Sequence, residues 1–259
     1  VPPFETLNLP QILKEICAAR QGLILVVGPT GCGKSTTIAS MINYINSIRA
    51  CHIVTVEDPI EYLFKDNKAI VSQREIGTDV ESFEVALKYL MRQDPDVVFV
   101  GEMRDSHTIT AAMRAAETGH LVLATMHSAN AAQAVQRLVD LFPQNERVLA
   151  RQTLTMTIKA IIAQVLMPSM KEGVDRIPAV EILLANPAVK KLISEAREAE
   201  LPDVIRSCRE EGMQDITDNL CELILDGSVE PKEAYKYAPN PNELKMALKG
   251  IRADTSGIL

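Results

Sequence analysis

Hydrophobic residues recur at intervals of three and four in residues 9–16, 83–90 and 109–116. This spacing is typical of a helix with one apolar face. Other segments are short and apolar at nearly every position, which predicts strands that are covered on both faces. These segments are residues 23–27, 53–56, 97–100 and 121–126. Strands that alternate with helices predict an α/β domain built on a mostly parallel sheet.

The pattern changes near Asn186-Pro187. Strand-like runs stop there, and helical spacing follows in residues 216–224 and 244–251. We therefore predict an α/β domain over residues 1–185 and a C-terminal helical region over residues 186–259.

Two helix starts carry capping signals. Thr78 and Glu81 have the spacing of a capping box ahead of the helix predicted at Phe83. Asp105 or Ser106 is placed to cap the helix that follows.

Composition and charge narrow the possible partners. The chain has 259 residues, of which 47% are hydrophobic, enough for a sizeable core. With 27 basic and 34 acidic residues the net charge is -7, so no overall positive field attracts nucleic acid. Aromatic residues are 4% of the chain and tryptophan is absent, which leaves few platforms for stacked bases. We expect no nucleic-acid partner.

The cysteines and the apolar runs indicate where the protein works. Five cysteines occur without a C-x-x-C pair, which predicts neither a zinc site nor disulfides and fits a reducing cytoplasm. The apolar runs are far shorter than the roughly 20 residues that cross a bilayer, so we expect no direct membrane insertion. The chain opens at Val1-Pro2-Pro3 without a methionine, and we expect it to be part of a longer protein.

A phosphate-binding motif lies between a predicted strand and a helical segment that starts at Ser35. Residues 28–35 match G-x-x-x-x-G-K-[ST], the P-loop pattern. Its glycines let the backbone amides surround phosphates, while Lys34 reaches the β- and γ-phosphates and the Ser35 hydroxyl binds Mg²⁺. The predicted nucleotide-binding residues are Gly28, Pro29, Thr30, Gly31, Cys32, Gly33, Lys34, Ser35 and Thr36. We predict ATP and Mg²⁺ as the ligands.

Polar residues follow three other predicted strands. Glu57-Asp58, Glu102 and His127 each come directly after an apolar run. Because ligands bind at the carboxyl ends of parallel strands, these groups are expected near the phosphates.

Each of these groups has a predicted role and an ordinary alternative. Glu102 is the candidate that orients or deprotonates the attacking water, and its alternative, capping the next helix, suits Asp105 better. His127 is a candidate γ-phosphate sensor, whereas His120, at the other end of the same strand, has the position of a structural histidine.

A second acidic group follows the run at residues 53–56. Glu57, Asp58 and Glu61 are candidates for binding Mg²⁺ or ordering water, with Glu57 also a catalytic candidate. The alternative for any one of them is an ordinary surface carboxylate. Arg104, beside Glu102, is a further candidate site residue.

Four ordered segments give the chain a specific resemblance. They are residues 28–36 as Walker A, 55–62 as an aspartate box, 94–105 (DPDVVFVGEMRD) as Walker B and 118–127 (TGHLVLATMH) as a histidine box. With them the whole chain resembles the motor region of pilus-retraction ATPases of the PilT and PilU type, in the secretion ATPase superfamily.

The resemblance implies a RecA-like fold and a homohexameric ring that converts ATP hydrolysis into work on a type IV pilus. It implies an inner-membrane platform protein and a paralogous pilus ATPase as partners, at the cytoplasmic face of that membrane. It also implies an N-terminal PAS-like domain that supplies arginines to the neighbouring nucleotide, from which we expect the present chain to bind ATP but hydrolyse it slowly. Such arginines contribute roughly 10³ to 10⁵ in rate.

Departures from the family pattern bear on the direction of movement. The retraction enzyme's A-I-R-N-L-I-R-E helix corresponds here to AVKKLISE at residues 188–195, which keeps the apolar positions but lacks the arginines. This favours the accessory, PilU-like type. The four-cysteine zinc element of assembly ATPases is missing, which disfavours pilus extension. The alternatives are another ring ATPase of the superfamily, for pilus assembly or type II secretion, a helicase or DNA-transfer motor, and a nucleotide-holding accessory or regulatory subunit.

Overall fold

A single seven-stranded sheet organises the chain in the computed structural model, which describes residues 1–90 and 92–251. The strand order is β3-β2-β4-β5-β1-β6-β7. Six strands run parallel, and β7 pairs antiparallel with β6. The strands are β1 (Gly22–Val27), β2 (His52–Glu57), β3 (Ile70–Glu75), β4 (Val97–Val100), β5 (Leu121–Met126), β6 (Ile158–Pro168) and β7 (Arg176–Leu184). The predicted mostly parallel α/β fold is therefore confirmed.

Helices cover both faces of the sheet and continue beyond it. They are α1 (Ile12–Cys17), α2 (Lys34–Ile48), α3 (Phe83–Leu90), α4 (Ser106–Glu117), α5 (Ala131–Asp140), α6 (Arg147–Thr157), α7 (Pro187–Ser194), α8 (Leu201–Ser207), α9 (Ile216–Leu225), α10 (Pro231–Tyr237) and α11 (Pro241–Ala247). Alternate residues of β1 enter separate clusters, Leu23, Leu25 and Val27 on one face and Ile24 and Val26 on the other. Burial on both faces explains why this strand has no polar alternation.

All four predicted strands are present, and three further strands were not predicted. β3 lies at the edge of the sheet, and its sequence IVSQRE is only partly buried. β6 and β7 carry long apolar runs that are interrupted by Gln164 and Glu181. The pairing of β6 with β1 places β6 beside the P-loop, and β7 lies outside it at the edge of the sheet.

The two predicted capping signals had different outcomes. Asp105 caps α4, because its side chain accepts hydrogen bonds from the Thr108 amide and hydroxyl. The predicted capping box at Thr78 and Glu81 is wrong. Ser82 accepts the Val85 amide instead, and Thr78 donates to a carboxylate oxygen of Glu75. A turn after β3 engages Thr78, so the helix begins one residue after Ser82.

The C-terminal region is helical from Pro187 to Ala247 in the part described, with turns between the helices. Val189 and Ile193 of α7 share the core cluster of one sheet face, while α9, α10 and α11 pack around the outer end of β6 and β7. A boundary at residue 186 stays a prediction, and the predicted tail over residues 252–259 lies outside the described residues. Within residues 1–90 and 92–251, no helix combines the length and apolarity that a membrane crossing requires.

Glu181 gives β7 a pH-sensitive carboxyl group. Its side chain is 6% exposed and accepts the Ala131 amide at 2.7 Å. Burial raises the pKa of Glu181 to about 7; the Ala131 hydrogen bond opposes this rise, the Asp215 charge adds to it and the Arg206 charge opposes it. The folded chain therefore holds this proton more tightly than the unfolded chain.

We expect Glu181→Gln to flatten the pH dependence of stability between pH 5 and 7.5. The Glu181 proton stabilises the wild type fully below the unfolded pKa of 4.5, and this stabilisation is lost as the pH rises through about 7. An amide keeps an acceptor for Ala131 and has no charge, so the wild-type loss relative to the variant should be about 2 kcal/mol over this range. Urea unfolding at both pH values measures the free energy of unfolding, and the exposed change Glu172→Gln is the control. Parallel pH profiles for Glu181→Gln and wild type would show that Glu181 does not titrate in this pH range.

Candidate functional site

The sheet topology brings the polar strand ends to one edge. β1 and β5 are neighbours, and β4 and β2 follow in order on the same side. Because these strands are parallel, their carboxyl ends all face the loop that leaves β1 at Val27 and enters α2 at Lys34. The cavity at this edge has a volume of about 520 Å³.

The P-loop backbone depends on its glycines. Gly31 and Gly33 have φ values of 75° and 88°, in the left-handed region that favours glycine. A methyl group on Gly28 would lie 2.4 Å from the Gln164 carbonyl oxygen, so only glycine fits there. Gly33 is also the N-cap of α2, which leaves the first amides of that helix directed at the cavity.

Lys34 is held across the loop by three acceptors. Its Nζ donates to the carbonyl oxygens of Gly28 at 3.0 Å and Pro29 at 3.1 Å, and it lies 3.3 Å from Nδ1 of His127. Because the ammonium group has only donors, Nδ1 is the acceptor in this contact, and Nε2 is the ring nitrogen that can donate. That nitrogen lies 3.2 Å from Oε1 of Glu102. His127 thus connects the Walker A lysine to the Walker B carboxylate.

Two hydrogen bonds connect the start of α2 to the acidic loop after β2. The Ser35 hydroxyl donates to Oε1 of Glu61 at 2.9 Å, and the Thr36 hydroxyl lies 2.9 Å from the Tyr62 hydroxyl. Asp58 and Glu61 line the cavity with Ser35. The Ser35 hydroxyl, which is predicted to bind Mg²⁺, therefore already contacts a carboxylate.

The pKa values of Glu57 and Glu102 are shifted in opposite directions. Burial raises the pKa of Glu57, which is 6% exposed, and hydrogen bonds from Thr55 at 2.6 Å and Gln73 at 3.2 Å only partly oppose this. Burial also acts to raise the pKa of Glu102, but the Arg104 guanidinium, 2.6 Å away, outweighs it together with His127 and Lys34. Glu102 is therefore held ionised, and Glu57 is the better proton acceptor of the two.

The structure gathers most of the predicted site residues and separates one. The cavity is lined by residues of all four predicted segments, among them Lys34, Glu57, Glu102, Arg104 and His127. His120 lies at the opposite end of β5, where its Nδ1 is 2.9 Å from the Ala115 carbonyl oxygen. In the described part of the chain, no three His, Cys, Asp or Glu side chains are grouped to hold a metal ion.

Sequence reasoning missed Tyr62 as a site contact and Gln164 entirely. Tyr62 falls inside the predicted aspartate box, but its hydroxyl reaches α2 only through the folded loop. Gln164 interrupts the apolar run of residues 160–167, and it is 2% exposed. A lone amide inside such a run was the available signal, because a buried polar group needs partners.

The chain matches the family model "Type II/IV secretion system protein" over residues 5–236. A twitching motility protein of Neisseria gonorrhoeae is 43% identical over 93% of this chain and 64% of its own length. The type IV pilus ATPase PilU of Pseudomonas aeruginosa is 41% identical over 96% of this chain and 65% of its own. The chain thus spans just under two thirds of these two relatives.

A solved structure of the pilus retraction motor PilT with bound ADP is also similar. It matches with a TM-score of 0.87 and 45% identity over 95% of this chain and 69% of that chain. The chain therefore belongs to the type II/IV secretion system protein family.

Proposed function

We propose that this chain is the motor part of an ATPase that retracts type IV pili. The observation that carries the proposal is the convergence of Lys34, His127 and Glu102 in one hydrogen-bonded series at the carboxyl edge of the sheet. The relatives of this chain indicate the direction of pilus movement, because their names include twitching motility and pilus retraction.

The residues present fit a nucleotide with Mg²⁺. Glycines at positions 28, 31 and 33 keep the loop backbone open to phosphate oxygens, and Gly31 has no atom near the place of a side chain. Lys34 would exchange its carbonyl partners for phosphate oxygens. Ser35 and one carboxylate, Glu61 or Asp58, would hold the ion; few protein ligands are needed because Mg²⁺ usually keeps waters and binds phosphates. The ion would neutralise charge on the phosphates.

Glu102 would orient the attacking water. A carboxylate whose pKa lies below its usual value stays ionised, so it can accept a hydrogen bond from water without taking up the proton. Glu57, with its raised pKa, is the candidate for taking up the water proton. His127 donates to Glu102 and accepts from Lys34, so it can relay the presence of the γ-phosphate to that carboxylate.

Assembly and location complete the proposal. We propose a homohexameric ring, at the cytoplasmic face of the inner membrane, that acts on a pilus platform protein and works beside a paralogous pilus ATPase. The division into an α/β motor over residues 1–185 and a helical region from residue 186 belongs to the same proposal.

A cell that carries this gene and makes type IV pili provides the test. Replacing the gene by the Glu102→Gln allele should abolish twitching while surface pili persist or increase, because assembly continues without retraction. Loss of pili would instead assign the chain to assembly. Normal twitching and a normal number of pili would contradict a motor role. The control is Glu117→Gln, a change at an exposed position, which should twitch like the wild type.

Two alternative functions stay distinguishable by experiment. ATP hydrolysis that rises on addition of DNA would favour a DNA-transfer motor, although the net charge of -7 argues against it. ATP that binds but is never hydrolysed, even in assembled rings, would favour a regulatory subunit.

A further inference from the structure

Gln164 on β6 contacts both the phosphate-binding loop and the helix that follows it. Its Nε2 donates to the Cys32 carbonyl oxygen at 2.6 Å, and its Oε1 accepts the Thr37 hydroxyl at 2.9 Å. Cys32 lies inside the loop, and Thr37 lies in the first turn of α2. One amide therefore fixes the loop relative to the helix.

The contact is buried and close. Gln164 is 2% exposed and Thr37 is 3% exposed, so water does not compete for these hydrogen bonds. The strand backbone is equally near, because a methyl group on Gly28 would meet the Gln164 carbonyl oxygen. β6 pairs with β1 up to the partners Val27 and Ala163, which places Gln164 level with the first residue of the loop.

We infer that Gln164 is a positioning residue for the nucleotide phosphates. It holds the Cys32 carbonyl turned away from the cavity, and this orientation keeps the neighbouring amides directed at the bound anion. Fixing the loop before binding reduces the ordering that the nucleotide must impose, so the effect falls on nucleotide affinity. The inference rests on the proposed function, since it requires that the loop binds phosphates.

Gln164→Met tests the inference because it removes both hydrogen bonds and keeps a similar shape. We expect the dissociation constant for Mg-ADP, measured by calorimetry well below the melting temperature, to rise about tenfold, as loss of two buried hydrogen bonds implies. Gln214→Met is the matched control: Gln214 also donates to a backbone carbonyl, that of Val180 at 2.7 Å, but does not touch the loop. This control should leave the dissociation constant unchanged, even if both variants melt earlier.

Gln164→Glu adds a second measurement, the pH dependence of nucleotide affinity, which a merely structural role of Gln164 would not change. Above the pKa of the introduced carboxyl, two acceptors face each other at the Cys32 carbonyl; below it, the O–H group donates as the amide did. Burial raises that pKa, so the affinity of the variant relative to wild type should recover as the pH falls from 8 to 6. If Gln164→Met fails to fold, the pH dependence of the affinity of Gln164→Glu relative to wild type tests the positioning role instead.

The outcomes separate this inference from the proposed function. Wild type that binds Mg-ADP, with Gln164→Met binding equally well or a Gln164→Glu ratio independent of pH, would overturn the positioning role and leave the proposed function intact. Wild type that binds no Mg-ADP would overturn both.

Discussion

Lys34→Met is expected to weaken Mg-ADP binding by roughly 10- to 100-fold, the loss of charge-assisted hydrogen bonds to phosphate. The Lys34 ammonium group is positioned by carbonyls of the loop itself and by His127. Bound phosphate oxygens would replace these partners with charged ones, so the lysine contributes mainly when nucleotide is present. Equilibrium titration with a fluorescent ADP analogue measures the change.

A matched variant separates this local effect from the change in net charge. Lys191→Met removes one positive charge from an exposed position of α7, away from the cavity. It should leave the dissociation constant within about twofold of wild type, since exposed charges at long range are screened. Equal weakening by both substitutions would mean that Lys34 does not contact the phosphates.

Glu102→Gln is expected to lower ATP turnover by about 10²- to 10⁴-fold while nucleotide affinity changes little. The introduced amide would keep an acceptor but lose the charge that Arg104 and His127 hold in place. Phosphate release at saturating Mg-ATP, compared with Mg-ATP binding, measures the two effects separately. The measurement is best made with rings of full-length subunits, where turnover is expected to be largest.

The control for this charge removal is Glu117→Gln, at the exposed end of α4. It should hydrolyse ATP at the wild-type rate. Turnover that survives in Glu102→Gln would contradict the water-orienting role of Glu102 and leave Glu57, the candidate for taking up the water proton, as the remaining catalytic carboxylate. Glu57→Gln would then be the variant that loses activity.

Much of the fold could be predicted because central parallel strands are apolar on both faces. β1, β4 and β5 are entirely buried, and each appears in the sequence as an apolar run that only Thr125 of β5 interrupts. β3 escaped prediction because it is an edge strand whose partly buried positions carry polar side chains. Apolar periodicity reflects burial, and an edge strand is only partly buried.

β6 and β7 escaped for a different reason. Each carries one polar residue inside an apolar run, Gln164 and Glu181, and those residues are buried. Their partners, Cys32 and Ala131, are distant in sequence. The polar residue is visible inside the apolar run, but its partner is not, because another part of the chain supplies it.

The candidate site was more predictable than its connections. Topology alone brings strand-end residues to one edge, so Glu57, Glu102 and His127 could be nominated from position. The opposite pKa shifts of the two glutamates, in contrast, depend on how deeply Glu57 is buried and on Arg104 reaching Glu102. These are properties of side-chain packing, and spacing does not contain them.

The identity of the nucleotide that stays bound tests the proposed ATPase most directly. Rings of full-length subunits, wild type and Glu102→Gln, would each be incubated with Mg-ATP, freed of unbound nucleotide, denatured and analysed by chromatography. We expect ADP from wild type and mostly ATP from Glu102→Gln. ATP retained equally by both would contradict hydrolysis at this site, and nucleotide retained by neither would contradict binding at the P-loop.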